Sequence, residues 1–469
     1  MEIKFMSKIR NDFLWGASTS AYQVEGSISE DGKVSSIMDD VANRDNYSKD
    51  ITDFRDASGH YKNWKEDVKL FAEMGMKSYR FSISWPRIMK NLKGDVNEQG
   101  IKFYSDLIDE LIKYKIEPVV TIYHFDAPNF IFEDGKFTDK RFIQLFENYC
   151  KVLFEAYGSK VKYWLTINEL NMFAMASSAI GILKSNQIIN RWQIVHALNV
   201  AQARAINLCH EMLPNAKIGP APNLGCIYTN SSKPIDYTAK LNMDLVRNWV
   251  YLDIACKGHY SKTFLEFVKK NNEVFLIDPK DMEDIKRAKP DFIAFNYYSS
   301  MTVEMTNEET NIKLAQDQQS GHTIPNFAAA VKNTNLEKTQ FGWEIDPQGF
   351  KNTLREVYER YNLPIMITEN GIGARDVLTK DGKIHDTYRI EYYQKHISKM
   401  LEAINEGVDI IGYMPWSAID LVSTHEGISK RYGFIYVNRN EFDLKDMKRY
   451  KKDSFYWYKD LIATNGEKI

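Results

Sequence analysis

The chain has 469 residues, 44% of them hydrophobic and 26% charged, which is enough apolar material to bury a large core. A formal net charge of −2 gives no excess of either sign to hold nucleic acid or a membrane surface, so neither partner is expected and any anion site must be local. No stretch approaches the roughly 20 apolar residues that span a bilayer, and 1–12 lacks an apolar signal core, so a cytoplasmic protein is expected.

In chain order, short apolar runs alternate with amphipathic helical stretches. The runs occupy 13–17, 78–83, 118–123, 163–167, 217–220, 291–295, 364–368 and 410–413. Near-continuous apolar runs are the mark of parallel strands buried on both faces. Between them, 97–115 places Tyr104, Leu107, Ile108, Leu111 and Ile112 on one helical face. The next helix, with Thr138 as its expected N-cap, repeats the spacing in Phe142, Leu145, Phe146, Tyr149 and Leu153. No linker, repeat or low-complexity tract divides the chain. One closed (β/α)8 barrel of the α/β class over 1–469, with extended loops after its strands, is therefore expected. The longest non-periodic insert, 300–344, follows the sixth run and is expected as a loop over the barrel mouth. The cysteines Cys150, Cys209, Cys226 and Cys256 have no C-x-x-C spacing and read as ordinary reduced thiols.

Function in such a barrel collects where the strands end. After the first run comes Tyr22-Gln23-Val24-Glu25-Gly26, and the second carries Arg80. The third ends in His124-Phe125-Asp126, the fourth in Asn168-Glu169 and the sixth in Asn296-Tyr297-Tyr298. The seventh ends in Glu369-Asn370, and Trp416 follows the eighth.

Two of these ends match. Trp164-Leu165-Thr166-Ile167-Asn168-Glu169 and Ile367-Thr368-Glu369-Asn370-Gly371 each set a Glu beside an Asn. One such Glu reads most simply as a helix cap or ion-pair partner, whereas two make a candidate acid pair. Glycoside hydrolysis needs one carboxyl that is protonated to donate to the leaving oxygen and a second that is ionised. At about 5–5.5 Å apart, the second attacks the anomeric carbon and configuration is retained. Like charges that close cannot both ionise easily, which raises the acid's pKa. Arg80 and Tyr298 are the groups suited to keep the other carboxylate negative.

With these residues in place, the chain resembles glycoside hydrolase family one, the retaining β-glycosidases built on a (β/α)8 barrel. The likeness runs from Phe13-Leu14-Trp15-Gly16 through Tyr22-Gln23-Val24-Glu25-Gly26 to Arg431-Tyr432-Gly433-Phe434. It implies Glu169 as acid/base, Glu369 as nucleophile and Tyr298 as the nucleophile's partner. It also implies Gln23, His124, Asn168 and Trp416 as sugar-binding residues, and Trp343 as the aromatic near the aglycone. Asn296, at the end of the sixth run, is taken with them as a substrate contact. The family needs no metal and no organic cofactor. Phe125 and Leu170 depart from its usual Trp and Pro or Ile, apolar for apolar, so altered packing is expected rather than lost chemistry.

The loop after Trp416 departs in a way that bears on the substrate. Most of the family has Glu then Trp where Ser423-Thr424 stands here, and that Glu accepts hydrogen bonds from the sugar hydroxyls at carbons four and six. A phosphate on carbon six would be repelled by it. Ser removes the repulsion and adds a donor, while Lys430 supplies a cation and Tyr432 a hydroxyl. The spacing Ser-x6-Lys-x-Tyr resembles the phosphate site of the family's 6-phospho-β-glycosidases. Lys430-Arg431 alone would read as a solvated surface pair. The residue beside the Ser tends to be Trp in the galactosidases and smaller in the glucosidases, and here it is Thr424.

The expected activity is hydrolysis of 6-phospho-β-glucosides, such as phosphorylated cellobiose or aryl glucosides, to glucose 6-phosphate and an aglycone. Dual or galacto-specific 6-phospho activity, and an ordinary β-glucosidase, are its near rivals. The rival of another class is a non-catalytic sugar-phosphate binding protein, which would need neither glutamate. Aglycone preference and oligomeric state have no legible signal.

Overall fold

The computed structural model describes residues 9–40, 50–135, 139–175, 190–306, 323–324 and 326–469. All eight apolar runs are strands, with ends moved by one or two residues at most. They are β1 Leu14–Ser18, β2 Ser78–Ser82, β3 Glu117–Tyr123, β4 Tyr163–Asn168, β5 Lys217–Ala221, β6 Ile293–Tyr297, β7 Ile365–Glu369 and β8 Ile410–Tyr413. Parallel ladders link them in the order β5-β4-β3-β2-β1-β8-β7-β6. The ring closes between β5 and β6 through Asn223–Leu224, which pairs with Asn296 and Tyr297. Lower down, the Asp291 N–H donates to Ile218 O at 2.9 Å. The architecture is the expected (β/α)8 barrel.

Side chains alternate across each strand, so residues two apart share the barrel interior. Val119, Leu165, Ala294 and Met366 pack there as an apolar plug, separate from the larger core between strands and helices. Two residues further along β3, β6 and β7 stand Thr121, Asn296 and Thr368, which turn polar above that plug. The Arg80 Nε donates to Thr121 Oγ1 at 2.7 Å, and the Thr368 hydroxyl donates to Asn296 Oδ1 at 2.8 Å. The barrel thus changes from apolar to polar just below its C-terminal mouth.

The helix Glu98–Lys113 buries Tyr104, Leu107, Ile108 and Leu111. Ile112 departs from the expectation and is 43% exposed. A helix turns about 100° per residue, so the position after Leu111 has already swung off the buried face. The helix Asp139–Tyr157 buries Phe142, Leu145, Phe146, Tyr149 and Leu153, while its expected cap Thr138 lies outside the described residues.

The insert after β6 is not a structureless loop. Met301–Glu304, Thr323–Ile324 and Ala328–Val331 join Ile227–Thr229 in a four-stranded sheet. These strands are too short for a periodic pattern to reveal them; 307–322 and 325 lie outside the described residues. Among the described residues, no helix is long and apolar enough to cross a membrane, and no cluster of His, Cys, Asp or Glu could hold a metal ion. The four cysteines form no disulfide.

Candidate active site

Irregularities in two strands aim the site residues. In β4 the register with β5 slips between Leu165 and Asn168, so Asn168 rather than Ile167 comes level with Ala221. In β7 the register with β6 slips between Ile367 and Glu369, so Glu369 comes level with Asn296. One extra residue reverses the side-chain alternation. Asn168 and Glu369 therefore turn inward where a regular strand would have turned them out. Glu169 follows with φ of +46°, a left-handed conformation that costs a non-glycine residue roughly 1 kcal/mol, and its N–H donates to Ala221 O at 2.7 Å. Beyond Glu369, a Cβ on Gly371 would lie 1.9 Å from Trp416 O, so close packing of two chain segments demands the glycine.

Each carboxylate has its own set of partners. Arg80 Nη1 donates to Glu369 Oε1 at 2.5 Å, and the Tyr298 hydroxyl donates to Oε2 at 2.5 Å. Arg80 is fully buried, and its Nη2 also donates to Asn168 Oδ1 at 2.6 Å. Glu169 Oε1 accepts from Asn223 Nδ2 at 2.8 Å and from Asn296 Nδ2 at 3.0 Å. Its Oε2 is buried without a hydrogen-bond partner among the described residues.

Burial raises the Glu169 carboxyl above the usual glutamate range, against the pull of the two amides and of Arg247 and Arg80. Burial also raises Glu369, to about 7. Arg80 pulls it down, the Glu169 charge pushes it up, and Tyr298 pulls it down again.

A cavity opens over the pair, and Gln23, His124, Trp343 and Trp416 line it. His124 Nε2 lies 3.1 Å from Asn168 Nδ2, and its ring stacks on Trp416 at 5.9 Å between centroids. Burial first, then the Arg80 charge, keeps His124 neutral well below its ordinary pKa. The Arg80 guanidinium can only donate, so Asn168 turns Oδ1 to it and its Nδ2 donates to His124 Nε2, leaving the His124 proton on Nδ1. Gln23 is held by the Ser20 hydroxyl at 2.7 Å and by Val422 O at 2.9 Å. Asn296 and Arg80 sit one layer below the cavity wall and act on Asn168 and the two glutamates rather than lining it.

Ser423, Lys430 and Tyr432 line the same cavity, with His425 and Glu426 beside them. Lys430 and Arg431 are 3% and 4% exposed, which excludes a solvated surface pair. They face opposite ways: Arg431 Nη1 donates to Asp420 Oδ2 at 2.7 Å, and Arg431 bridges Ala374 through its backbone. Glu441 fastens the loop by accepting the Ile428 and Ser429 N–H groups at 3.1 and 2.8 Å. Thr424 shares a 2.8 Å hydrogen bond with the Tyr22 hydroxyl.

Sequence reading passed over Asn223 and Arg247. Arg247 is buried on a π-helical turn, Leu245–Trp249, and its Nη2 donates to Asn223 Oδ1 at 2.5 Å, orienting the amide that reaches Glu169. Nothing in the local pattern marks either residue; an Asn on a two-residue strand and an Arg within a helical stretch look like ordinary polar positions. Phe125, by contrast, was legible as a departure, and it is 4% exposed against His124 and Phe173.

Comparison with known proteins places this geometry among relatives. The model of glycosyl hydrolase family 1 matches residues 5–467. The aryl-phospho-β-D-glucosidase BglC of Bacillus subtilis is 40% identical, over 97% of this chain and 98% of that protein. A phospho-cellobiase of Klebsiella oxytoca is 39% identical over 97% of each. Among solved structures, a family 1 β-glucosidase from Thermotoga maritima superposes with a TM-score of 0.88 at 35% identity, covering 98% of both chains.

Proposed function

The chain belongs to glycosyl hydrolase family 1, and we propose that it is a retaining 6-phospho-β-glucosidase, acting without a cofactor. One observation carries the reading: a single cavity is lined both by Glu169 and Glu369 and by Ser423, Lys430 and Tyr432. The phosphorylated β-glucosides in the names of the two curated relatives support the same substrate class. A phosphorylated sugar does not pass a bilayer unaided, so the proposed place of action is the cytoplasm.

The partners of the pair decide where its proton sits. Both Glu369 oxygens accept hydrogen bonds, one from a guanidinium, so protonating Glu369 would set an O–H against donors. Glu169 Oε2 can carry the proton without displacing a protein donor. In the state with one proton on the pair, Glu369 holds the charge and Glu169 is the acid.

Glu169 then gives its proton to the glycosidic oxygen as that bond breaks, while a Glu369 oxygen forms a bond to the anomeric carbon. The ionised Glu169 next takes a proton from water, whose oxygen displaces Glu369 and returns the anomeric carbon to its first configuration. Arg80 and Tyr298 stabilise the carboxylate as it leaves.

The substrate phosphate rests against Ser423, Lys430 and Tyr432, with Ser423 standing where most of the family has a glutamate. Thr424, bonded to Tyr22, stands where a larger indole would read an axial hydroxyl, which favours glucose over galactose. The test compares kcat/KM for an aryl β-glucoside with and without the 6-phosphate. A preference of at least about 100-fold for the phosphorylated form is expected, as charge-assisted contacts contribute about 1.5–3 kcal/mol each. Equal turnover would overturn the phosphate assignment in favour of an ordinary β-glucosidase. Equal turnover of the 6-phosphogalactoside would remove the glucose preference alone.

A further inference from the structure

The segment carrying Trp343 was expected to serve the aglycone, and its contacts lead to Lys430 and Tyr432. Residues 338–344 fold back on themselves: Lys338 bridges Glu344, and the Thr339 N–H donates to Trp343 O at 2.8 Å. The turn passes through Gly342 at φ +82°, and Thr339 Oγ1 accepts the Phe341 and Trp343 N–H groups at 3.2 Å each. Both rings reach the same cation. Lys430 Nζ lies 3.7 Å from the Trp343 ring centroid, 4.6 Å from Phe341 and 5.8 Å from Tyr432.

The stem of Lys430 is constrained as closely as its head. A Cβ on Gly373 would stand 2.7 Å from Lys430 Cγ, 2.9 Å from its Cε and 2.9 Å from Tyr432 Cζ. The stem therefore runs through a slot that only a glycine leaves open.

We propose that the 338–344 hairpin and Gly373 belong to the phosphate-recognition apparatus, with Phe341 and Trp343 as positioning residues that hold the Lys430 ammonium over their ring faces. The inference rests on the phosphate reading of the site. A lysine free to sample its rotamers loses much of its affinity for an anion to ordering, and one held in place has lost that freedom before the substrate arrives. Rings suit this task better than a carboxylate. Their quadrupole attracts the cation without cancelling its charge. Trp343 also packs edge-on against Tyr298 at 5.4 Å, and Tyr298 donates to Glu369. One indole thus touches both the cation and the nucleophile's partner.

The test uses two competitors that lack an aglycone, so any role of Trp343 beside the leaving group drops out. Inhibition constants for glucose 6-phosphate and glucose are measured against hydrolysis of an aryl 6-phospho-β-glucoside, on the wild type and on Trp343→Leu, Trp343→Phe and Gly373→Ala. Trp343→Leu should reduce the preference for glucose 6-phosphate over glucose by roughly 5- to 30-fold. Trp343→Phe, which keeps a ring face, should restore most of it. Gly373→Ala should reduce the preference without altering a ring, and it keeps the proposal falsifiable should Trp343→Leu fail to fold. An unchanged preference in the variants, or an equal loss for both competitors, would overturn the proposal while leaving the phosphate site standing. A wild type that binds the two sugars equally would instead remove the phosphate reading itself.

Discussion

Replacing Tyr298 by Phe isolates the hydroxyl that helps keep Glu369 charged. That hydroxyl donates to Glu369 Oε2 at 2.5 Å, while the ring packs against Trp343 at 5.4 Å and would stay in place. A hydrogen bond to a charged acceptor contributes about 1.5–3 kcal/mol, and one pKa unit corresponds to about 1.36 kcal/mol, so the bond accounts for about 1–2 units. It favours the ionised form, so its loss moves the pKa upward from the value of about 7 to which burial has already raised Glu369.

The assay is kcat/KM against pH with an aryl 6-phospho-β-glucoside, whose acidic limb reports ionisation of the free enzyme's nucleophile. The substrate's own phosphate titrates near pH 6, but identically for both proteins, so it cancels in the comparison. The acidic limb of Tyr298→Phe should lie at least about one unit higher than that of the wild type. The alkaline limb should move less. An acidic limb that stays in place or moves down would refute the reasoning, because Tyr298 would then not be sustaining the charge.

Asn223→Ala removes one of the two amides on Glu169 Oε1 and so raises the acid's pKa. The alkaline limb of kcat/KM should shift upward by about half a unit to one unit, and an unmoved limb would show that this amide does not act on the acid. Asp376 tests the scaffold behind the phosphate loop. Burial pushes its carboxyl up, but Arg389 and Lys452 outweigh burial and hold it at about 2. Because the folded-state pKa is depressed, the stability it contributes is present above the unfolded value of 3.8 and is lost as pH falls through about 2. Asp376→Asn should lower the unfolding free energy at pH 7 by about 2 kcal/mol or more, and flatten its dependence between pH 4 and 2, measured by urea denaturation. Equal stability at pH 7 would mean that the ion pairs do not offset their burial.

The barrel was legible because each strand is buried on both faces, and a stretch such as 364–368 can satisfy that only with apolar residues. The two glutamates were legible for the opposite reason, as acids at the ends of apolar runs. What aims them was not. The slips in β4 and β7 are mismatches between neighbouring strands, and no single strand records them. Asn223 and Arg247 reach Glu169 only because the ring closes beside them. The approach of Phe341 and Trp343 to Lys430 joins loops after different strands, beyond the reach of any local pattern. Ile112 shows the converse limit: its spacing suits the buried face, but the helix turns it toward solvent.

The central claim, that Glu369 attacks a sugar whose phosphate is held by Ser423, Lys430 and Tyr432 in the same cavity, has a direct measurement. A 2-deoxy-2-fluoro-β-glucoside 6-phosphate with a good leaving group should trap the glycosyl-enzyme, since the fluorine slows both oxocarbenium-like steps while the leaving group speeds only the first. Mass spectrometry of the digested protein is expected to find one adduct, on the peptide containing Glu369, formed at least about 100-fold faster than with the unphosphorylated reagent. An adduct on Glu169, or equal rates with the two reagents, would contradict it.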